Sequence, residues 1–301
     1  MISARGLALV LCVLPFTAAC RETSEANAAQ LREVATLRKQ ELTRRIAAAD
    51  ANPSRSAPLA MWLMPSELRE ISGLALKPDG RLLAHDDELA MISEIDPRTG
   101  IVLKRFVLDG DPHGDFEGIT VAGPDIYLLE SNGKLFKFRE GADGDHVPFA
   151  EYDTRLGKEC EFEGIAFEAD SSRLLLACKR VTTKSLKDQL VIYRLALPIT
   201  PRSTPTVFSV PIANVIGSNV WKNFNPSDLA IDPTTKNYVL ISSQEKGLVV
   251  LTPDGTVLRS EPLPAHHNQA EGVAITSDSI LIISDEATQK PAAITLYRWR
   301  P

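Results

Sequence analysis

The chain has 301 residues, 44% of them hydrophobic and 24% charged, and 39 Asp and Glu outnumber 33 Lys and Arg for a net charge of −6. These values are those of a globular protein and exclude a disordered, collagenous or multi-span membrane chain. The acid excess argues against a nucleic-acid partner, which needs clustered Lys and Arg. Twenty prolines argue against an all-helical protein, since each removes a backbone donor and fixes φ.

Residues 1–19 read as a lipoprotein signal peptide. Arg5 supplies a positive n-region, and Gly6 to Phe16 is an apolar stretch, shorter than the ~20 residues that span a bilayer. Thr17-Ala18-Ala19-Cys20 resembles a lipobox, in which Cys20 is both cleavage site and lipid anchor. An ordinary signal peptide cleaved near Ala19 is the alternative, and either reading exports the protein. The expected location is the cell envelope, anchored to a bacterial membrane (outer rather than inner) and facing the periplasm.

Ser24 to about Asp50 is free of Gly and Pro and rich in Ala, Leu, Glu, Arg and Gln, which predicts one helix. Leu31, Ala35, Leu42 and Ile46 form a thin apolar stripe, and Glu41–Arg45 is a favourable i,i+4 pair. Asn52 to Pro58 breaks the helix. Residues 20–58 are thus expected to be a lipidated cysteine, a helical spacer and a linker, with a coiled-coil partner helix as the alternative. Arg32, Arg38, Lys39, Arg44 and Arg45 suit a position near anionic lipid.

From residue 59 the strongest signal is self-similarity. Five segments align on Gly73, Gly118, Gly164, Asp228 and Gly272: EISGLAL, DFEGITV, EFEGIAF, NPSDLAI and QAEGVAI, spaced by 45, 46, 64 and 44 residues. A period near 45 indicates a propeller blade or a helical repeat. After the first copy come Arg81–Ala84, Met91–Ile95 and Ile101–Leu108, separated by Asp79-Gly80, Asp96-Pro97 and Thr99-Gly100. Strands punctuated by turn dipeptides exclude the helical repeat and give four strands per copy. The long interval holds a wide loop at Val181–Gln189 and an insertion at Pro211–Asn225 rather than a sixth blade. The fifth copy has only three strands before Pro301, so Leu59–Met64 is expected to supply its fourth and close the ring. Residues 59–301 are therefore expected to form an all-β, five-bladed β-propeller of four antiparallel strands per blade.

In a propeller the first strand of each blade lines the channel. The residue before the aligned position reads Ser72, Glu117, Glu163, Ser227 and Glu271, so three carboxylates from three blades converge on one mouth. Asp228 lies close by, and the ends of the second strands add Asp86-Asp87-Glu88 and Asp285-Glu286. Such like charges repel unless something positive sits among them, and Ca²⁺ tolerates irregular oxygen sets better than Mg²⁺. The alternative is that the carboxylates accept loop amides and the glycines permit tight blade packing.

The segments EISGLAL, HDDE, DFEGI, EFEGIAF, NPSDLAIDP, QAEGVAI and ISDE, in that order, resemble the SdiA-regulated family of bacterial envelope proteins over roughly residues 62–299. The resemblance implies a five-bladed propeller, distantly similar to NHL repeats, with a bound calcium ion and no established reaction. Glu117, Glu163 and Glu271, then Asp228 and Asp87, are the candidate metal residues.

Cys160 and Cys178 remain in the exported domain, and an even pair in an oxidising compartment suggests a disulfide. Pairing Glu168 with Arg173, however, puts Cys178 opposite Glu163, three residues from Cys160. The histidines, His85, His113, His146, His266 and His267, include several expected on the acidic face, as polar loop groups or as a base beside metal-bound water. No Gly-x-Ser-x-Gly, His-Glu-x-x-His, P-loop or Cys-x-x-Cys occurs. Two functions follow from these residues: a calcium-binding module for an envelope ligand or partner, or a calcium-dependent phosphoesterase or lactonase of phytase-like or paraoxonase-like type. For the enzyme, Lys179-Arg180 and Lys246 are the only candidate phosphate contacts.

Overall fold

The computed structural model describes residues 16–53, 57–200 and 202–301, with side chains from residue 27 onward; residues 1–15 of the expected signal peptide and the Cys20 side chain lie outside the described residues. Five sheets, each built on four antiparallel strands, form a ring, as the repeats predict. Blade 1 comprises Ile71–Leu76, Leu82–Asp86, Met91–Asp96 and Ile101–Leu108. Blade 2 comprises Phe116–Ala122, Asp125–Glu130, Lys134–Phe138 and Phe149–Asp153. Blade 3 comprises Cys160–Glu168, Arg173–Val181, Gln189–Ala196 and Thr206–Pro211. Blade 4 comprises Asp228–Ile231, Tyr238–Ser242, Gly247–Leu251 and Val257–Pro262. Blade 5 has Ala270–Ile275, Ile280–Asp285 and Ala293–Arg298, and its outer strand is Ala60–Leu63 from before blade 1. That strand runs antiparallel to Ala293–Arg298, with Ala60 opposite Leu296 and Leu63 opposite Ala293. Main-chain hydrogen bonds therefore fasten the two ends of the ring.

Strands in the blades read as near-continuous apolar runs because each sheet is covered on both faces by its neighbours. One apolar core fills each junction: Leu83, Phe116 and Phe136 between blades 1 and 2, Leu129, Phe162 and Leu176 between 2 and 3. Leu175, Tyr238 and Leu240 follow between 3 and 4, Val239, Val273 and Ile283 between 4 and 5, and Leu74, Ile282 and Ile294 where blade 5 meets blade 1.

Two features go beyond the sequence reading. His146–Val147 adds a short fifth strand, parallel to the edge of blade 1. The helix, Phe16–Ala51, does not simply lead into the ring; its C-terminal part lies against the blade 5–blade 1 junction. Leu42 is 1% exposed and packs with Leu59 and Leu68. Arg38 donates to the Thr99 carbonyl and stacks over Trp62, and Lys39 pairs with Asp96 at 3.0 Å. Asp50 pairs with Arg298 at 2.6 Å, and Arg300 caps the helix end through the Ala49 and Pro53 carbonyls. Of the predicted stripe, Leu42 and Ile46 dock, whereas Leu31 is 55% exposed. Among the described residues no helix is long and apolar enough to cross a membrane.

Candidate functional site: the acidic channel mouth

The carboxylates reach the channel through a backbone irregularity. In blade 2, Phe116 faces Glu130 and Gly118 faces Leu129, so Glu117 is an extra, unpaired residue. The same shift leaves Glu163 unpaired in blade 3 and Glu271 in blade 5. In blade 1 the residues Ser72 and Gly73 face His85 alone. Each is a β-bulge, which turns one side chain out of the alternating pattern and here aims it into the mouth. The glycine after each bulge allows the innermost strands to close on the axis. A Cβ at Gly118 would stand 3.0 Å from the Ile165 nitrogen, and one at Gly164 2.9 Å from the Asp228 Cα.

A second ring of side chains comes from the ends of the second strands: Asp87, Ser131, Lys179, Ser243 and Glu286 occupy matched positions in blades 1 to 5. Together the rings enclose a cavity of about 180 Å³ lined by Glu70, Ser72, Asp87, Glu117, Glu163, Lys179, Gln269, Glu271 and Glu286. Six carboxylates thus share one small space with one ammonium. Lys179 is half-buried and donates to the Glu163 carboxylate.

The electrostatics follow from burial and crowding. Burial first, then Glu163 and Asp115, pushes Glu117 up to about 10. Burial raises Glu163 to about 7, with Lys179 pulling it back. Burial and the charge of Glu163 raise Glu271 to about 8. Burial, Asp86 and Glu70 raise Asp87 to about 6. Lys179 is held above its ordinary value because Glu163, Glu117 and Glu271 outweigh its own burial.

The structure brings four of the five candidate metal residues, Glu117, Glu163, Glu271 and Asp87, to this mouth. Asp228 is placed differently. Its carboxylate accepts the Leu229 and Val273 amides, both at 2.7 Å, and it is 1% exposed. Glu70 lines the mouth and was not among the sequence candidates; its only signal is an acid one turn of chain ahead of the bulge. The mouth suits a hard cation on two grounds. Glu70, Asp86 and Asp87 are, among the described residues, the acid set that offers three oxygens within 4.8 Å of one another. The Asp87 Oδ1 is buried without a hydrogen-bond partner.

Cys160 and Cys178 form a disulfide beside the mouth, with Cα atoms 5.7 Å apart. Glu168 does pair with Arg173, but the bulges shift Cys178 from Glu163 to Phe162 and bring it within reach of Cys160. No histidine lines the mouth cavity. His85 is fully buried beneath it; its Nε2 accepts the Gly73 amide at 3.0 Å, and burial lowers it to about 4. His267 is 1% exposed between Asp285 at 2.6 Å and Tyr297 at 2.7 Å, and His266 meets the same Tyr297 hydroxyl at 2.7 Å. Arg180 pairs with Glu161 outside the cavity, so Lys179 alone of the suggested phosphate contacts lines the mouth.

Fold and site together define a five-bladed propeller with an acid-lined channel mouth. Residues 212–298 match the family model described as SdiA-regulated, so the resemblance read from the sequence is borne out over the insertion before blade 4 and over blades 4 and 5. No curated protein matches the sequence. Among solved structures, the PQQ-bound aldose sugar dehydrogenase of Streptomyces coelicolor is similar with a TM-score of 0.55 at 15% identity, covering 81% of this chain and 98% of that one. The Myxococcus xanthus glutaminyl cyclase has a TM-score of 0.52 at 11% identity, covering 80% and 95%. At such identities the likeness is one of fold alone.

Proposed function

We propose that the protein is an exported, lipid-anchored binding module that holds Ca²⁺ at its acidic channel mouth and engages a ligand or partner of the bacterial cell envelope there. The observation that carries this reading is the convergence of six carboxylates and one ammonium on about 180 Å³. A hard divalent ion would be held by carboxylate oxygens of this set and would supply the positive charge that lets neighbouring acids ionise together. Asp87 offers an unpartnered oxygen, and the bulges present Glu117, Glu163 and Glu271 to the same cavity, where they add negative charge around it. Cys20, preceded by Thr17-Ala18-Ala19, supports the anchor and the envelope location.

One observation favours an enzymatic reading, a calcium-dependent phosphoesterase or lactonase. Glu163 and Glu271 both line the cavity, and burial holds their carboxyls above the ordinary carboxylate range, as a general base near neutral pH would need. Against it, the cavity presents no histidine, and its one cationic side chain already serves Glu163. A screen with phosphomonoesters, phytate and lactones, with added Ca²⁺ and with chelator, separates the two. The binding-module reading expects Ca²⁺ to raise thermal stability with no turnover. Turnover that Glu117→Gln abolishes would favour the enzyme, and a protein indifferent to Ca²⁺ would overturn both.

A further inference from the structure

The mouth breaks its own symmetry at one position. Where the other blades carry Asp87, Ser131, Ser243 and Glu286, blade 3 carries Lys179. The backbone is built for this exchange. Blade 3 pairs Glu161 with Arg180 and Phe162 with Cys178, so Lys179 is itself an unpaired bulge residue, separated from the Glu163 bulge only by the Phe162–Cys178 pair. None of the other blades' innermost pairings carries a second register shift. The Cys160–Cys178 disulfide ties the two strands beside this double bulge. The ammonium donates to Glu163 and acts electrostatically on Glu117 and Glu271 as well, so it serves the three bulge carboxylates together. On the other side Glu70 pairs with Arg69 at 3.5 Å and Glu286 accepts the Gln269 amide, whereas Asp87 keeps a buried oxygen without a partner.

We propose that Lys179 is a tethered counter-ion that fills one cation seat of the mouth, among Glu117, Glu163 and Glu271, and so limits the mouth to one divalent ion on the Asp87 side. This rests on the cation-binding reading above. A mobile ion and a covalently attached ammonium compete for the same carboxylate charge, and the attached one has no translational entropy to lose. Lys179 is therefore a specificity-determining residue: it sets how many divalent ions bind and where.

The test is calorimetric titration of the purified protein with Ca²⁺ alone, comparing wild type, Lys179→Met, Lys179→Arg and Arg180→Gln. Arg180 is the control, because it removes the same charge one residue away, where it pairs with Glu161 outside the mouth. Lys179→Met is expected to gain a second equivalent of Ca²⁺, or to bind about tenfold more tightly, and Arg180→Gln and Lys179→Arg to match wild type. If Lys179→Met matches wild type, or gains no more than Arg180→Gln, the proposal is overturned while the calcium-binding function stands. If wild type binds no Ca²⁺ but Lys179→Met does, the counter-ion role stands and the calcium-binding function falls. If neither binds, both fall.

Discussion

Asp228 stands where the other four repeats have glycine, and its carboxylate crosses between blades, as the Ser227 and Ser284 hydroxyls beside it also do. One oxygen accepts the Leu229 amide at 2.7 Å, and the other accepts the Val273 amide of blade 5 at 2.7 Å. The Leu74 amide of blade 1 acts on it electrostatically as well. Burial pushes this carboxyl well above its ordinary value, and the backbone amides around it pull it back. Asp228→Ala would leave the Leu229 amide and the inter-blade Val273 amide without this acceptor, at about 1–3 kcal/mol each. The expected loss is about 3–5 kcal/mol, which corresponds to a Tm lower by roughly 6–15 °C for a ring of this size. Asp228→Asn keeps one acceptor oxygen and is expected to lose about half as much. Urea unfolding measures the loss, and Ca²⁺ titration of the same variants asks whether the mouth is affected. A loss below about 1 kcal/mol would refute the staple. Unchanged stability with abolished Ca²⁺ binding would instead make Asp228 a metal ligand.

Three further predictions follow from the same structure. Because Glu117, Glu163, Glu271 and Asp87 have folded-state values raised above those of an unfolded chain, the metal-free native protein binds more protons than the unfolded one between pH of about 4.5 and 8. Chelated protein is therefore expected to lose stability as pH rises through that window and to regain it with Ca²⁺, and a Tm that rises with pH in chelator would contradict this. Leu42→Ala, at a position 1% exposed, is expected to cost about 2–4 kcal/mol and to speed tryptic cleavage at Arg44 and Arg45 as the helix leaves the ring; unchanged cleavage would mean that the polar contacts alone hold it. Replacing Cys160 and Cys178 together by Ser opens a link of sequence separation 18 and is expected to cost about 3 kcal/mol. It should also weaken Ca²⁺ binding more than an equally destabilising core substitution does, since the link sits beside the bulges of Glu163 and Lys179.

The sequence made the ring legible because a repeat is a local signal: turn dipeptides, the aligned glycines and the missing fourth strand of the last blade each act over a few residues. It made the convergence of Glu117, Glu163 and Glu271 legible for the same reason. Register was not legible. An extra residue in a strand changes neither its composition nor its length noticeably, so the bulges stayed hidden, and with them the pairing that brings Cys160 to Cys178. The docking of the helix was only partly legible: the stripe residues Leu42 and Ile46 do bury against the ring, but Arg38, Lys39 and Arg45, whose polar tips also reach acceptors on it, occupy positions that look solvent-facing in sequence. Asp228 carried a signal that pointed two ways: an acid beside acids reads as a ligand, but an acid in a glycine position close to the next strand reads as an acceptor for that strand's amides.

The arrangement also explains how one small domain tolerates so many opposed charges. A bulge residue makes no ladder pair, so the ionisation of Glu117, Glu163 or Glu271 takes nothing from the hydrogen bonding of its sheet. Stability resides lower down, in five apolar junctions whose members are almost fully buried, and at the ring closure by Ala60–Leu63. Charge repulsion at the mouth is therefore carried by residues on which packing does not depend, a separation expected where function requires a locally unfavourable cluster. Conversely, the polar groups near the mouth that do bear on packing, Asp228 and His85, are buried and saturated by backbone partners rather than left facing the channel. Glu117→Gln should thus stabilise the metal-free ring, whereas Asp228→Ala should weaken it by taking the acceptor from the Leu229 and Val273 amides, and that opposition of sign is what divides the acids of this face into those that bind and those that hold.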